Sequence, residues 1–264
     1  MKNSLSFSSF TKSPYHITKH TTYFEVYDEL FSDYRDKEII FVEIGVLNGG
    51  SLFMWRDFFG PKARIIGIDL NPNAKKWEKF GFEIFIGSQT NESFWKKFKE
   101  EVGLIDIVLD DGGHTYEQQI ITTETLLDNI KDGGLIVIED THTSYMEKFG
   151  PKKYSFIEYT KNMIDLINQR FSRFKNNETE DRVWGIRIFE SIVAFNINKK
   201  ASSLSSDSIN NNGKSDMEKD FRYKDNTALS VFYKSRGILR ILRKIPGIKT
   251  MLARYKFQAK KFFR

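Results

Sequence analysis

Apolar residues fall along the first two hundred positions in short β-branched and aromatic runs separated by amphipathic stretches. Tyr23, Tyr27, Leu30, Phe31 and Tyr34 recur at helical spacing, which predicts a helix over 23–35 whose apolar face covers part of a cleft or sheet. The run IIFVEIGV (39–46) reads as a strand, the segment LNGGS as a tight turn and LFMWRDFF as a helix. The alternation continues with strands at 64–70, 82–87, 104–111 and 134–140, and helices near 73–80, across 91–102 and across 115–130. Strands alternating with helices at this spacing predict an α/β fold, a mostly parallel sheet with helices on both faces and its strand carboxyl ends along one edge. Beyond a helical region at 153–173, the segment VWGIRIFESIVAFNI (183–197) reads as two strands turning near Glu190 and Ser191. That hairpin adds an antiparallel pair and brings the sheet to seven strands.

The pattern stops at about residue 198. Residues 199–228 begin with KKASSLSSDSINNNGKSDM, which has too few large apolar side chains to offset the entropy of ordering, and read as a flexible linker. Residues 229–264 alternate Leu, Ile, Phe and Tyr with Lys and Arg around Pro246 and Gly247, and read as an arm of two short basic amphipathic helices. The expected organisation is thus a domain at 1–198 with an N-terminal helical cap, a linker and an arm. Charge divides the same way. The formal charge is +6, yet positions 230–264 hold eleven Lys or Arg and no acid, which leaves the body at −5. A mildly acidic body argues against a nucleic-acid-binding domain. The arm reads equally as packed or solvated, and as a peripheral contact with an anionic membrane. Its cations could also bind phosphates, but no recognition module accompanies them, which ranks nucleic acid last. With no cysteine, disulfides, thiolate metal sites and a cysteine nucleophile are excluded. Neither an apolar run long enough to span a bilayer nor the apolar core of a secretory signal occurs, so the expected location is cytoplasmic, with the inner membrane face as the place for a peripheral contact.

Two constellations carry candidate chemistry. Glu43-Ile-Gly45-Val-Leu-Asn48-Gly49-Gly50-Ser51 follows a strand and opens a helix, where glycine lets the backbone approach a ligand closely. Asp69 ends the next strand, where an acid can accept both hydroxyls of a ribose or simply cap a helix. Glu43 would repel a pyrophosphate but suits a cationic ligand, so the pair favours S-adenosylmethionine over NAD. The second constellation is Asp110-Asp111-Gly112-Gly113-His114 with Glu139-Asp140-Thr141-His142-Thr143-Ser144-Tyr145, at the ends of adjacent strands. Carboxylates so concentrated repel one another unless a cation joins them, and an oxygen-rich set points to Mg²⁺ or Mn²⁺.

VEIGVLNGGSLFMW, GIDL, GSQTN, DIVLDDGGHTYEQQ and GGLIVIEDTHTSY together resemble the class I S-adenosylmethionine-dependent methyltransferases, and within them the metal-dependent macrolide sugar O-methyltransferases of the mycinamicin and demethylmacrocin type. Proteins labelled cephalosporin hydroxylase share related motifs. The resemblance covers about residues 17–197, with glycine at 113 where many relatives have serine. It implies a Rossmann-like fold, a Mg²⁺ site from Asp111, Glu139 and Asp140, and His114 as the base for a sugar hydroxyl. Cofactor contacts are implied for Glu43, Gly45, Ser51, Asp69, Ser88 and Gln89; Asn48 and Gly49 belong to the same turn, and Asp110 contacts the cofactor or supports from behind. His142 and Tyr145 are assigned to substrate or support. The implied reaction is methyl transfer to a sugar hydroxyl of a glycan, a lipid-linked glycan or a glycosylated natural product, by a chain that could assemble as a homo-oligomer. The rival readings are an Fe(II) hydroxylase and a non-catalytic membrane-associated protein with a vestigial fold.

Overall fold

The structure, a computed structural model, describes residues 4–171, 174 and 179–214. The chain divides into two units, Met1–Asp207 and Ser208–Arg264, of which the first holds the described elements. In the first, helices α1 (Leu5–Lys12) and α2 (Tyr23–Phe31) precede strand β1 (Ile40–Ile44). There follow α3 (Gly50–Phe59), β2 (Arg64–Asp69), β3 (Glu83–Ile86), α4 (Glu92–Val102), β4 (Ile105–Asp110), α5 (Tyr116–Leu126), β5 (Ile130–Ile138) and α6 (Phe156–Gln169). Strands β6 (Val183–Phe189) and β7 (Ile192–Ile197) and the short α7 (Lys199–Ser202) complete the described elements. The sheet has seven strands in the order β3-β2-β1-β4-β5-β7-β6; β1 to β5 pair in parallel, and β7 lies antiparallel to both β5 and β6. The mostly parallel Rossmann-like sheet with a C-terminal antiparallel hairpin is the architecture the hydrophobic pattern predicts.

Alternation along β1 explains the two layers. Phe41 faces a core shared with α2 and α3 through Tyr27, Phe31, Trp55 and Phe59. Val42 and Ile44 face the other core, with Trp95 and Phe98 of α4, Leu126 of α5 and Phe156 of α6. The strand order reverses at β1, between β2 and β4, and in such sheets the crevice beyond the carboxyl ends at the reversal binds ligands. Register sets the neighbours there: Ile44 pairs with Asp110, and Asp110 with Ile138, so Gly45, Asp111 and Glu139 emerge side by side.

Several boundaries differ from expectation. The periodicity gave no element before residue 23, but Leu5–Lys12 is helical; its Ser-rich sequence is held by the Asp28 carboxylate of α2, which accepts from Leu5 N at 2.7 Å and Ser6 N at 2.8 Å. Residues Pro72–Phe80 form 3₁₀ turns, begun by an Asn71 cap and Pro72. The expected helix across 115–130 ends at Leu126, and β5 starts at Ile130, whose side chain is buried opposite Ile105. Lys199–Ser202, inside the segment read as linker, is helical and tied down where Asp132 accepts from Lys199 N at 2.7 Å. The rest of the linker beyond 214 and the arm at 229–264 lie outside the described residues. Among the described residues no helix is long and apolar enough to cross a membrane.

Candidate active site

A cavity of about 520 Å³ opens at the sheet reversal. Gly45, Leu47, Asp69, Leu70, Ser88 and Gln89 line one end; Lys19, His20, Asp111, His114, Glu139 and Asp140 line the other. The first end is shaped by backbone. Gly45 has φ +93°, and a Cβ there would lie 2.1 Å from the Asp111 carbonyl oxygen, so only glycine lets β1 and β4 close together at this point. Asp69 Oδ2 accepts from Val46 N at 2.9 Å and Leu47 N at 3.0 Å, and its Oδ1 accepts from Asn71 N at 2.8 Å. The acid thereby fixes the turn after β1 while remaining on the cavity wall. Gln89 is buried and donates through Nε2 to both Asp110 oxygens and to Thr122.

Glu43, Asn48, Gly49, Ser51 and Asp110 stand outside the cavity lining. Glu43 is buried on the α3 side of β1, where Ser51 Oγ donates to it at 2.6 Å and Trp55 Nε1 at 3.0 Å. Burial pushes its carboxyl up to about 7, against the pull of Lys19 and these two donors. Asp110 is likewise pushed up to about 7 by burial, with Gly112 N and Gln89 holding it partly down. Both acids support the cavity from behind. A Cβ at Gly49 would strike the Trp77 ring, which accounts for glycine there through packing.

The second end is organised by an unexpected cation. Lys19 Nζ lies 2.6 Å from Asp111 Oδ2 and 2.8 Å from Glu139 Oε2, with its side chain 2% exposed. Burial disfavours this ammonium, but the surrounding carboxylates outweigh that cost and raise its pKa well above the usual lysine value. Glu139 is fully buried, and its other oxygen accepts from Tyr27 Oη. Burial pushes Glu139 up to about 8 against the attraction of Lys19. Asp140 has a left-handed backbone (φ 54°) and accepts from Tyr23 Oη at its Oδ1. Its Oδ2 faces His114 Nε2 at 3.3 Å, and Asp111 Oδ1 lies 3.8 Å from the same nitrogen. His114 Nδ1 is buried without a hydrogen-bond partner among the described residues.

Of the three carboxylates expected to hold a divalent ion, Asp111 and Asp140 face the cavity together, and donor atoms of Asp111, His114 and Asp140 lie within 4.8 Å of one another. The Asp111 and Asp140 oxygens of that set fit a hard divalent cation completed by water or substrate oxygens, with the His114 imidazole beside it. Glu139 has both oxygens engaged by Tyr27 and Lys19 and stands behind the pair. His142 does not line the cavity; its Nδ1 sits 2.5 Å from Ser191 Oγ. Tyr145 is largely exposed. Sequence reasoning did not find Lys19, His20 or the hydroxyls of Tyr23 and Tyr27, because it read 23–35 as a covering helix and gave its tyrosines no further role. The signal was the cluster HITKH at 16–20, which holds two of the four histidines in the chain.

Residues 42–141 match a protein family described as a methyltransferase domain. The mycinamicin VI 2''-O-methyltransferase of Micromonospora griseorubida is 32% identical over 157 residues, 54% of this chain and 39% of that protein. The demethylmacrocin O-methyltransferase of Streptomyces fradiae is 34% identical over 131 residues, 47% of this chain and 33% of that protein. Among solved structures, the mycinamycin-pathway methyltransferase MycE in complex with Mg and SAH superposes with a TM-score of 0.65 at 26% identity, over 74% of this chain and 53% of that one. The matches thus span about two fifths or less of these curated relatives and about half of the solved one. Motifs, sheet order and site geometry agree with these matches: residues 42–141 carry a methyltransferase domain, and the chain is similar to sugar O-methyltransferases of the mycinamicin and demethylmacrocin type.

Proposed function

We propose that the chain is a Mg²⁺-dependent O-methyltransferase acting on a sugar hydroxyl of a glycosylated natural product, polysaccharide or glycolipid. The observation that carries this reading is that one cavity is lined both by Gly45 and Asp69 and by Asp111, His114 and Asp140. The mycinamicin, demethylmacrocin and tetracenomycin relatives are named for O-methylation, and MycE was solved with Mg, SAH and mycinamycin VI. The Fe(II) hydroxylase and vestigial-fold readings find no support in these matches.

Making a sugar alkoxide at neutral pH costs roughly five or more pKa units, about 7 kcal/mol at 1.36 per unit. His114 is the base: its Nε2 takes the acceptor proton, and Asp140 Oδ2 at 3.3 Å stabilises the imidazolium that results. Such a base contributes about 10²- to 10⁴-fold, or roughly 3–5 kcal/mol. Bound at Asp111 and Asp140, Mg²⁺ would supply the shortfall by orienting and polarising neighbouring acceptor hydroxyls, and S-adenosylmethionine would supply the methyl group. Asp69, Ser88 and Gln89 would position the nucleoside end, and Gly45 keeps the floor between the two ends free of side chain. Lys19 offsets the repulsion between Asp111 and the buried Glu139 behind it, so that Asp111 can face a ligand. The basic sequence at 229–264 supports peripheral contact with an anionic membrane, which would suit a lipid-linked acceptor.

The test is methyl transfer from labelled S-adenosylmethionine to sugars bearing vicinal hydroxyls, with and without chelator. Asp111→Ala should lose more than about 100-fold of Mg²⁺-dependent turnover while S-adenosylhomocysteine affinity stays within about threefold. Full activity in Asp111→Ala would refute the assignment.

A further inference from the structure

Asp140 presents two oxygens in two directions. One, Oδ2, faces His114 and the Mg²⁺-type donors; the other, Oδ1, faces two imidazoles that the proposed methyl transfer does not use. His20 Nε2 lies 3.8 Å and His142 Nδ1 3.9 Å from Asp140 Oδ1, and donor atoms of these three residues lie within 4.8 Å of one another. Neither nitrogen is close enough to Oδ1 for a hydrogen bond, and the gaps are too short for a bridging water. They are near the spacing of donors around a tetrahedral ion: bonds of about 2.0–2.1 Å place ligand atoms roughly 3.4 Å apart. Closing each of the two gaps to Asp140 takes about half an ångström. His20 can provide it, since its side chain is 65% exposed and sits on the segment between α1 and α2.

We propose that His20, His142 and Asp140 form a second cation site, selective for a late first-row transition ion such as Zn²⁺. Imidazole nitrogen suits Zn²⁺, Ni²⁺ or Cu²⁺, whereas Mg²⁺ requires oxygen, so the two sides of Asp140 discriminate between ion classes. Ser191 Oγ, 2.5 Å from His142 Nδ1 and 2.9 Å from Tyr23 Oη, either yields its place on the imidazole or becomes a fourth donor. Because Asp140 serves both sites, an ion held on Oδ1 by His20 and His142 draws on the single negative charge that Oδ2 offers to the Mg²⁺ side. Transition metal then opposes Mg²⁺, independently of whether the acceptor is a sugar.

Calorimetric titration of the metal-free full chain with Zn²⁺, and of the same samples with Mn²⁺ followed by electron paramagnetic resonance, tests the site without reference to turnover. His20→Ala and His142→Ala should each weaken Zn²⁺ binding tenfold or more and leave Mn²⁺ affinity within twofold. Asp111→Ala should show the opposite preference. Both imidazoles are at least two-fifths exposed, so the variants should keep the wild-type circular dichroism spectrum and melting temperature. No Zn²⁺ binding by the wild-type chain, or a loss below fivefold in either variant, overturns the proposal.

Discussion

Replacing Lys19 by Met removes the ammonium and keeps a side chain of similar length in its place. The ammonium bridges Asp111 and Glu139 at 2.6 and 2.8 Å, and both the Lys19 and Glu139 side chains are at most 2% exposed. Breaking one partner of a buried ion pair costs about 3–5 kcal/mol, because the remaining charge keeps its desolvation penalty without compensation. Without the ammonium, burial lets Glu139 take up a proton, which places the expected loss near the lower bound, about 3 kcal/mol at pH 7. The assay is urea unfolding of the metal-free chain followed by tryptophan fluorescence. A double variant, Lys19→Met with Glu139→Gln, removes the stranded charge and should recover at least about half of the loss, as expected for directly coupled neighbours. A loss below about 1 kcal/mol in Lys19→Met, or strict additivity in the double variant, would show that Lys19 does not neutralise the pair.

Glu43 gives a pH signature. Burial pushes its carboxyl up to about 7 from the ordinary 4.5, so the folded state holds the extra proton between those values. Its contribution to stability is therefore full below pH 4.5 and falls by up to about 3 kcal/mol as pH rises to 7. Glu43→Gln should gain stability relative to wild type between pH 5 and pH 7 in denaturant titrations; an unchanged difference would contradict the burial argument. Gly45→Ala adds a Cβ 2.1 Å from the Asp111 carbonyl at φ +93°, and should cost more than about 2 kcal/mol, lowering the melting temperature by roughly 4–8 °C in scanning calorimetry. Asp69→Ala removes the acceptor for Val46, Leu47 and Asn71 amides, and should weaken S-adenosylhomocysteine by about tenfold or more, roughly 1.4 kcal/mol, with Mn²⁺ affinity unchanged in calorimetry.

The strands of the sheet were legible because β-branched runs between glycine and polar segments carry a local signal, and the parallel order then puts Gly45, Asp111 and Glu139 at one edge. Lys19 was not legible, since its partners are 92 and 120 residues away and nothing local distinguishes it from a solvated lysine. The same holds for α1, capped by Asp28 of another helix, and for the tyrosines of α2, whose spacing records only that one face is buried. Motif spacing expected Asp111, Glu139 and Asp140 as one ligand set, but which oxygens face the cavity depends on Lys19 and Tyr27, which the motifs do not contain and which engage both Glu139 oxygens. Glu43 illustrates a related limit: its type suggested a cationic ligand, whereas the pleat of β1 turns it toward Ser51 and Trp55.

The most direct measurement is calorimetric titration of the purified chain with S-adenosylmethionine and with S-adenosylhomocysteine, each with and without Mg²⁺. The account predicts micromolar binding of both, retained in Asp111→Ala and weakened in Asp69→Ala. No binding under any of these conditions would contradict the assignment of the cavity to methyl transfer.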